Sequence, residues 1–246
     1  MAYRYAVVRE NYEDLASGGV LHSAPGFPAF PVRLASEMFQ RALAMRQDHA
    51  AMVWDPCCGS GYMLTVLGLL HPGQITAVVG TDIDPAALRL AGQNLALLDE
   101  VGLSARAADL DAQAERWDKP SYAAAAQAAR RLARRLPSGQ GPAPHLHQAD
   151  VFDPRQLRQA LDGRRPGLVI TDVPYGEQTG WRGPGGASGT AGMLRALGEL
   201  LSEDAVIAVA VRGRKLRLDD GPRADATFRI GTRTVGLFRV SPTTAP

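Results

Sequence analysis

Four aspartates stand immediately after short runs that read as strands, the place where an α/β chain concentrates its chemistry. Asp55 follows residues 51–54 and opens the turn Pro56-Cys57-Cys58-Gly59-Ser60-Gly61. Asp82 follows residues 74–81, and Asp150 follows residues 145–149. Asp172 follows residues 167–171 and opens Val173-Pro174-Tyr175-Gly176. Glycines in a turn let the backbone approach a ligand closely and adopt positive φ. A dinucleotide site asks for G-x-G-x-x-G with a pyrophosphate on the following helix N-terminus. Here Leu64 stands in the place of the third glycine. Asp55 precedes the turn, and its carboxylate repels phosphate while suiting a cationic amino-acid head group. A nucleoside that carries an amino acid therefore fits better than NAD.

In this reading Cys57, Gly59 and Gly61 belong to the ligand turn, and Asp82, with Ile83 beside it, lies some 20 residues further on. A carboxylate at that point accepts both ribose hydroxyls. Asp82 is preferred to Asp84, because Asp84-Pro85 is placed to cap and open a helix. Asp150 is a partner for an adenine amino group, and Val151 offers a backbone N–H and an apolar wall. T-D-V-P-Y-G resembles a motif of methyltransferases that modify base nitrogens, and that resemblance implies a catalytic loop of Asp172, Pro174 and Tyr175. In it Asp172 would accept a hydrogen bond from a base N–H and take the departing proton, and Tyr175 would stack on a base taken out of its helix.

The elements that must position these residues follow from periodicity. Residues 33–46 repeat apolar positions at helical spacing (Leu34, Met38 and Ala42; Ala35, Phe39 and Leu43). Residues 51–54 read as a buried strand, 62–70 as a helix, 74–81 as a strand, and 85–98 as a helix. Later strands are expected at 145–149, 167–171, 205–211 and 234–240, with helices at 155–161 and 190–201. Strands alternating with helices imply a parallel sheet covered on both faces. Residues of about 101–143 interrupt the rhythm, since an αβ connection is usually a handful of residues. They contain A-A-A-A-Q-A-A-R-R-L-A-R-R-L, a strong helix former, ended by P-S-G-Q-G-P-A-P, and are read as a helical insertion. The domain plan is an N-terminal segment and helix over 1–50 and a main domain over 51–246 that carries the insertion.

Composition bounds the possibilities. The 246 residues suit one large α/β domain. No stretch approaches the roughly 20 apolar residues of a membrane span, and charges interrupt the first ten residues where a secretion signal would be apolar. The expectation is a soluble cytoplasmic protein. Cys57 and Cys58 are the only cysteines; adjacent Cα atoms, about 3.8 Å apart, suit no ordinary disulfide, and no companion residues complete a metal site. A net charge of +2 predicts no polyanionic partner by itself, but the charge is unevenly spread. Arg130, Arg131, Arg134 and Arg135 form one stripe on a helix, with no acid between residues 121 and 136. Such like charges repel, which favours a polyphosphate partner. Arg212, Arg214 and Lys215, after the fifth strand, are a second candidate contact. Arg164-Arg165 reads as a helix-end cap.

The glycine turn with its row of acids resembles the S-adenosylmethionine site of class I methyltransferases. T-D-V-P-Y-G resembles the (N/D)-P-P-(Y/F/W) motif of methyltransferases that modify base nitrogens, with Val173 where the first proline usually stands. Residues 24–35 resemble the lead-in that covers the cofactor in RNA-modifying relatives, where Phe30 and Pro31 would close over the methionine end. Longer strings carry a more specific likeness: A-V-V-R-E-N-Y-E-D, F-P-V-R-L-A-S-E, W-D-P-C-C-G-S-G-Y, K-P-S-Y, A-A-Q-A-A-R-R-L, A-D-V-F-D-P, T-D-V-P-Y-G-E and I-G-T-R. In these the chain resembles the avilamycin-resistance 23S rRNA guanine methyltransferase family. The resemblance implies a Rossmann-like class I fold with a mostly parallel seven-stranded sheet and helices on both faces. It also implies S-adenosylmethionine as cofactor, 23S rRNA of the large ribosomal subunit as partner, and resistance to an orthosomycin antibiotic. Two other readings use the same residues: an amino-methyltransferase acting on DNA adenine or another RNA base, and a noncatalytic RNA-binding or assembly factor that kept the fold.

Overall fold

Strand-forming runs that are apolar on both sides gather in the middle of the chain's computed structural model, which describes residues 3–7, 12–173, 181, 183, 185–216, 218 and 221–240. β1 (Ala51–Asp55), β2 (Ile75–Asp82), β3 (Ala143–Gln148), β4 (Leu168–Asp172), β5 (Val206–Arg212), β6 (Ala226–Ile230) and β7 (Arg233–Arg239) make one sheet, in the order β3-β2-β1-β4-β5-β7-β6. Strands β1 to β5 pair in parallel, and β7 runs antiparallel to both β5 and β6. The expected mostly parallel seven-stranded α/β sheet is therefore present. β6 is the strand that periodicity did not indicate: of A-T-F-R-I only Phe228 is buried, as befits an edge strand.

Alternate residues of each strand feed two cores. Val53, Val78, Ile170, Ala208 and Val235 face one side, packing with α2 (Val32–Leu43) and α3 (Tyr62–Leu70) after the short α1 (Glu13–Ala16). Trp54, Val79, Val169, Ile207 and Phe238 face the other side. α4 (Pro85–Leu95) starts where expected, with the Asp84 side chain accepting from Ala86 N at 2.8 Å and Pro85 in the first turn.

The insertion is a helical hairpin of α5 (Glu100–Trp117) and α6 (Pro120–Ala133). Leu103, Ala107 and Leu110 of α5 and Ala125, Ala126, Ala129 and Leu132 of α6 are buried; the small alanine face lets neighbouring backbone come near. Beyond β3, α7 (Pro154–Leu161) and α8 (Gly189–Gly198) cover the second face of the sheet. Arg164 donates to Leu161 O at 3.2 Å, capping the end of α7 as expected.

Candidate functional site

Parallel pairing brings the C-terminal ends of β3, β2, β1 and β4 to one edge, at about 4.8 Å per strand. That edge carries Asp150, Asp82, Asp55 and Asp172 in this spatial order. Connections from β1 and β4 leave in opposite directions along the sheet, so a crevice opens between them. Ligands of open α/β sheets bind at this switch point.

Asp55 is 3% exposed, and its carboxylate accepts the Cys57 amide at 3.1 Å. Burial pushes its carboxyl up to about 7, with the charges of Asp82 and Asp172 adding to the rise. Asp82 is half-buried; it accepts the Gly59 amide at 2.8 Å on one oxygen and the Asp84 amide at 2.9 Å on the other. The turn between these acids needs its glycines. Gly59 and Gly61 have φ of +52° and +68°, and a Cβ on Gly61 would stand 3.1 Å from Ala91 Cα. The neighbouring strand ends are laced together, since Cys58 N donates to Thr81 O at 2.9 Å and Trp54 Nε1 to Thr81 Oγ1 at 3.1 Å. Both thiols are neutral, because burial pushes Cys57 and Cys58 well above the usual thiol range.

Asp150 is buried and accepts the Phe152 amide at 2.9 Å, with the buried Val151 between them. Ile83, half-buried, accepts Gln148 Nε2 on its carbonyl at 3.1 Å. Gly183 comes so near that a Cβ there would stand 3.2 Å from Ile83 Cδ1 and collide with the Asp150 carboxylate. Trp181 packs edge-on against Phe152, with ring centroids 5.2 Å apart. These residues of the glycine-rich loop therefore wall the end of the crevice that Asp150 occupies. A buried carboxylate at the turn, two glycines with positive φ, and acids at the next two strand ends suit a nucleoside bearing a cationic amino-acid group. The same row of carboxylates disfavours a pyrophosphate.

Asp172 closes β4 on the other side of the crevice. Burial pushes its carboxyl up to about 6, and Arg233 pulls the other way. Arg233 Nη2 donates to Asp172 Oδ2 at 3.4 Å, while Asp172 Oδ1 is buried with no hydrogen-bond partner among the described residues. The Arg233 guanidinium lies 4.8 Å from the centre of the Phe30 ring. Arg233 was not among the candidates from sequence; its signal was only its place in the string I-G-T-R. Pro174 and Tyr175 lie outside the described residues.

The N-terminal lead-in reaches the site through residues that motif reading passed over. Phe27 approaches Gly59, with its Cδ1 3.8 Å from where a Cβ would be. Asn94, fully buried on α4, accepts from His22 N at 2.7 Å and donates to His22 O at 3.0 Å and Ser60 O at 2.9 Å, tying the lead-in to the turn. Glu37 on α2 is fully buried and accepts the amides of Arg4, Tyr5 and Ala6 at 2.7, 3.0 and 2.7 Å, and Arg41 Nε at 2.7 Å. Burial pushes the Glu37 carboxyl up, but these donors outweigh it and hold it below its usual range.

The basic stripe on α6 has partners from other elements. Arg130 pairs with Asp111 of α5, and Arg131 pairs with the buried Asp14 of α1 at 2.6 Å. Arg135 lies 3.8 Å from the same Asp14, and Arg134 donates to Arg130 O at 3.2 Å. The absence of acids near the stripe in sequence did not carry over to space, and much of its charge fastens α1 and α5 to α6. Arg212, Arg214 and Lys215 are exposed where β5 ends, beside the β6–β7 turn and on the edge that carries Asp172.

Among the described residues no group of three or more His, Cys, Asp or Glu is arranged to hold a metal ion, and no helix is long and apolar enough to cross a membrane.

Comparison with known proteins bears on the chain as a whole. The family model for rRNA methyltransferase AviRa matches residues 1–233. The chain is 53% identical over 242 residues to the 23S rRNA (guanine(2535)-N(1))-methyltransferase of Streptomyces viridochromogenes, covering 98% of this chain and 96% of that protein. Two solved structures of the rRNA methyltransferase aviRa from the same organism superpose with TM-scores of 0.90 and 0.89, at 53% and 50% identity, each over 98% of this chain and 97% of that one. A SAM-dependent methyltransferase from Neisseria gonorrhoeae, 16% identical with a TM-score of 0.50 over 98% of this chain and 76% of that one, shares the fold. The sheet order, the acids at its edge and matches over nearly the whole chain lead to one assignment: the chain belongs to the AviRa rRNA methyltransferase family.

Proposed function

We propose that this protein transfers a methyl group from S-adenosylmethionine to N1 of a guanine in 23S rRNA, acting in the cytoplasm and conferring resistance to avilamycin. The observation that carries the reading is the row Asp150, Asp82, Asp55 and Asp172 across four neighbouring strand ends, with the glycine turn at its centre. The name of the Streptomyces viridochromogenes relative supports the choice of RNA, base and ring position.

Each acid has a part. Asp55, with Cys57, Gly59 and Gly61, receives the cationic amino-acid end, whose charge favours the ionised form of a carboxylate that burial pushes toward its neutral acid. Asp82 accepts the ribose hydroxyls beside Ile83, using lone pairs left over from the Gly59 and Asp84 amides. Asp150 accepts the adenine amino group, and Val151 supplies its amide and an apolar wall. S-adenosylmethionine, when bound, supplies a methyl group activated by a sulfonium. Tyr175 stacks on the target base, and Asp172 accepts the N1 hydrogen bond and then the proton. Methyl transfer is an in-line displacement, so this positioning supplies much of the acceleration. RNA is held first by Arg212, Arg214 and Lys215 at the mouth, with Arg134 and the exposed parts of Arg130, Arg131 and Arg135 further along the hairpin.

The test is transfer of labelled methyl from S-adenosylmethionine to large-subunit rRNA lacking the modification, or to large subunits assembled with that unmodified rRNA. Ribonuclease-sensitive label is expected. Label only in DNA supports the adenine reading, and cofactor binding without any transfer supports a binding factor; either contradicts the proposal.

A further inference from the structure

Among the described residues, two buried oxygens at the reacting edge lack a hydrogen-bond partner, Thr171 Oγ1 and Asp172 Oδ1, and only the second belongs to an ionisable group. Buried polar atoms are paired in the great majority of cases, and an exception at a functional edge calls for an explanation. The other oxygen of the same carboxylate is held by Arg233 Nη2 at 3.4 Å. Arg233 reaches Asp172 from β7 across the end of β5, where it stands directly opposite Arg212. The side chains of Arg233 and Asp172 are only 14% and 20% exposed, and the Phe30 ring lies against the guanidinium. The charge thus acts where solvent screens it weakly.

Resting on the guanine reading above, we infer that Arg233 is a positioning residue: it fixes Asp172 through Oδ2 and keeps it ionised, so that Oδ1 is presented to the N1–H of the target guanine. As the N1–methyl bond forms and the methyl–sulfur bond breaks, the N1 proton passes to Oδ1. The positive charge of the sulfonium and the negative charge of the carboxylate are discharged together. Phe30 backs the guanidinium from the N-terminal lead-in, which joins that segment to the reacting edge as well as to the glycine turn. Burial alone pushes Asp172 toward its neutral acid, which cannot accept the proton, and the Arg233 charge opposes that push.

Three measurements test this. First, the Asp172 carboxyl is titrated by carbon NMR in protein with labelled aspartate and no ligand, with Asp172→Asn assigning the signal. Its midpoint is expected to rise by about one pH unit or more in Arg233→Gln and to stay near wild type in Arg233→Lys, which keeps the charge. Second, the acid limb of kcat moves up with it by the same amount, so that Arg233→Gln falls about tenfold below wild type at pH 5, about twofold near pH 7, and converges toward wild type at pH 9. Third, Asp172→Asn combined with Arg233→Gln is no slower than Asp172→Asn alone, since groups acting as a unit are non-additive. A midpoint and rate unchanged in both Arg233 variants, or losses that multiply in the double variant, overturn the inference while leaving the methyltransferase reading intact. A wild-type protein that methylates no guanine overturns both.

Discussion

The Gly59 amide donates to the Asp82 carboxylate at 2.8 Å, so the acid that ends β2 holds the shape of the turn that follows β1. The second oxygen of Asp82 accepts the Asp84 amide at 2.9 Å, at the start of α4. One side chain therefore fixes two backbone segments that line the crevice, and the ribose acid and the glycine turn form one unit.

Asp82→Ala accordingly weakens S-adenosylmethionine binding and loosens the turn together. Charge-assisted hydrogen bonds contribute about 1.5–3 kcal/mol, so calorimetry is expected to show a loss of at least tenfold in affinity. The melting temperature without ligand falls as well, because two amides lose their acceptor. Unaltered affinity would contradict the ribose role.

The raised carboxyl of Asp55 makes stability depend on pH in a defined direction. Its ordinary value is 3.8 and its folded value about 7. Between these limits the folded chain holds a proton that the unfolded chain has released, so this group's contribution to stability falls as pH rises through that window. Asp172, raised to about 6, acts with the same sign over a shorter range. The ligand-free protein is expected to melt at a lower temperature at pH 8 than at pH 5, with a shallower slope in Asp55→Asn. A cationic ligand favours the ionised form, so its affinity increases over the same range with release of protons. Calorimetry in two buffers of different ionisation enthalpy reads that release, and its absence would remove Asp55 from the cationic end.

Glu37 anchors the N-terminal segment through three amides and Arg41. Glu37→Ala leaves those donors without their acceptor and is expected to cost roughly 2–3 kcal/mol in denaturant unfolding. Amide exchange at residues 3–7 should accelerate in the same variant. Its folded carboxyl lies below the usual range, so the stability it contributes is present at neutral pH and is lost as pH falls through that lowered value. Unchanged exchange at residues 3–7 would show that the segment is held elsewhere.

The two basic clusters differ in what their removal does. Arg214→Ala and Lys215→Ala are each expected to weaken RNA binding and reduce the slope of log affinity against log salt by about 0.7–0.9. Arg131→Ala, which leaves the buried Asp14 with only Arg135 at 3.8 Å among the described residues, is expected to lower the melting temperature and change the slope little. The reverse pattern would return the RNA contact to α6.

What was legible in the sequence was local. Asp55, Asp82, Asp84 and Asp150 could be placed because a strand end, a glycine turn or a helix cap lies within a few residues of each. The relationships that cross the sheet were not legible. Arg233 is 61 residues from Asp172 and meets it only because β7 inserts between β5 and β6 in reverse. β6 hid behind a single buried side chain, Phe228. The α6 stripe looked uncompensated because Asp14 and Asp111 lie 117 and 19 residues from their partners. Helical spacing reports which residues share a face, but not what another element brings to it.

The most direct test locates the methyl group. Unmodified 23S rRNA is treated with the protein and S-adenosylmethionine, then read by primer extension and by mass spectrometry of its nucleosides. A methyl on N1 occupies the base-pairing edge, so a single new stop at one guanine is predicted, with 1-methylguanosine as the new nucleoside and neither formed by Asp172→Ala. A methylated nucleoside other than 1-methylguanosine, or equal product from Asp172→Ala, would contradict the account.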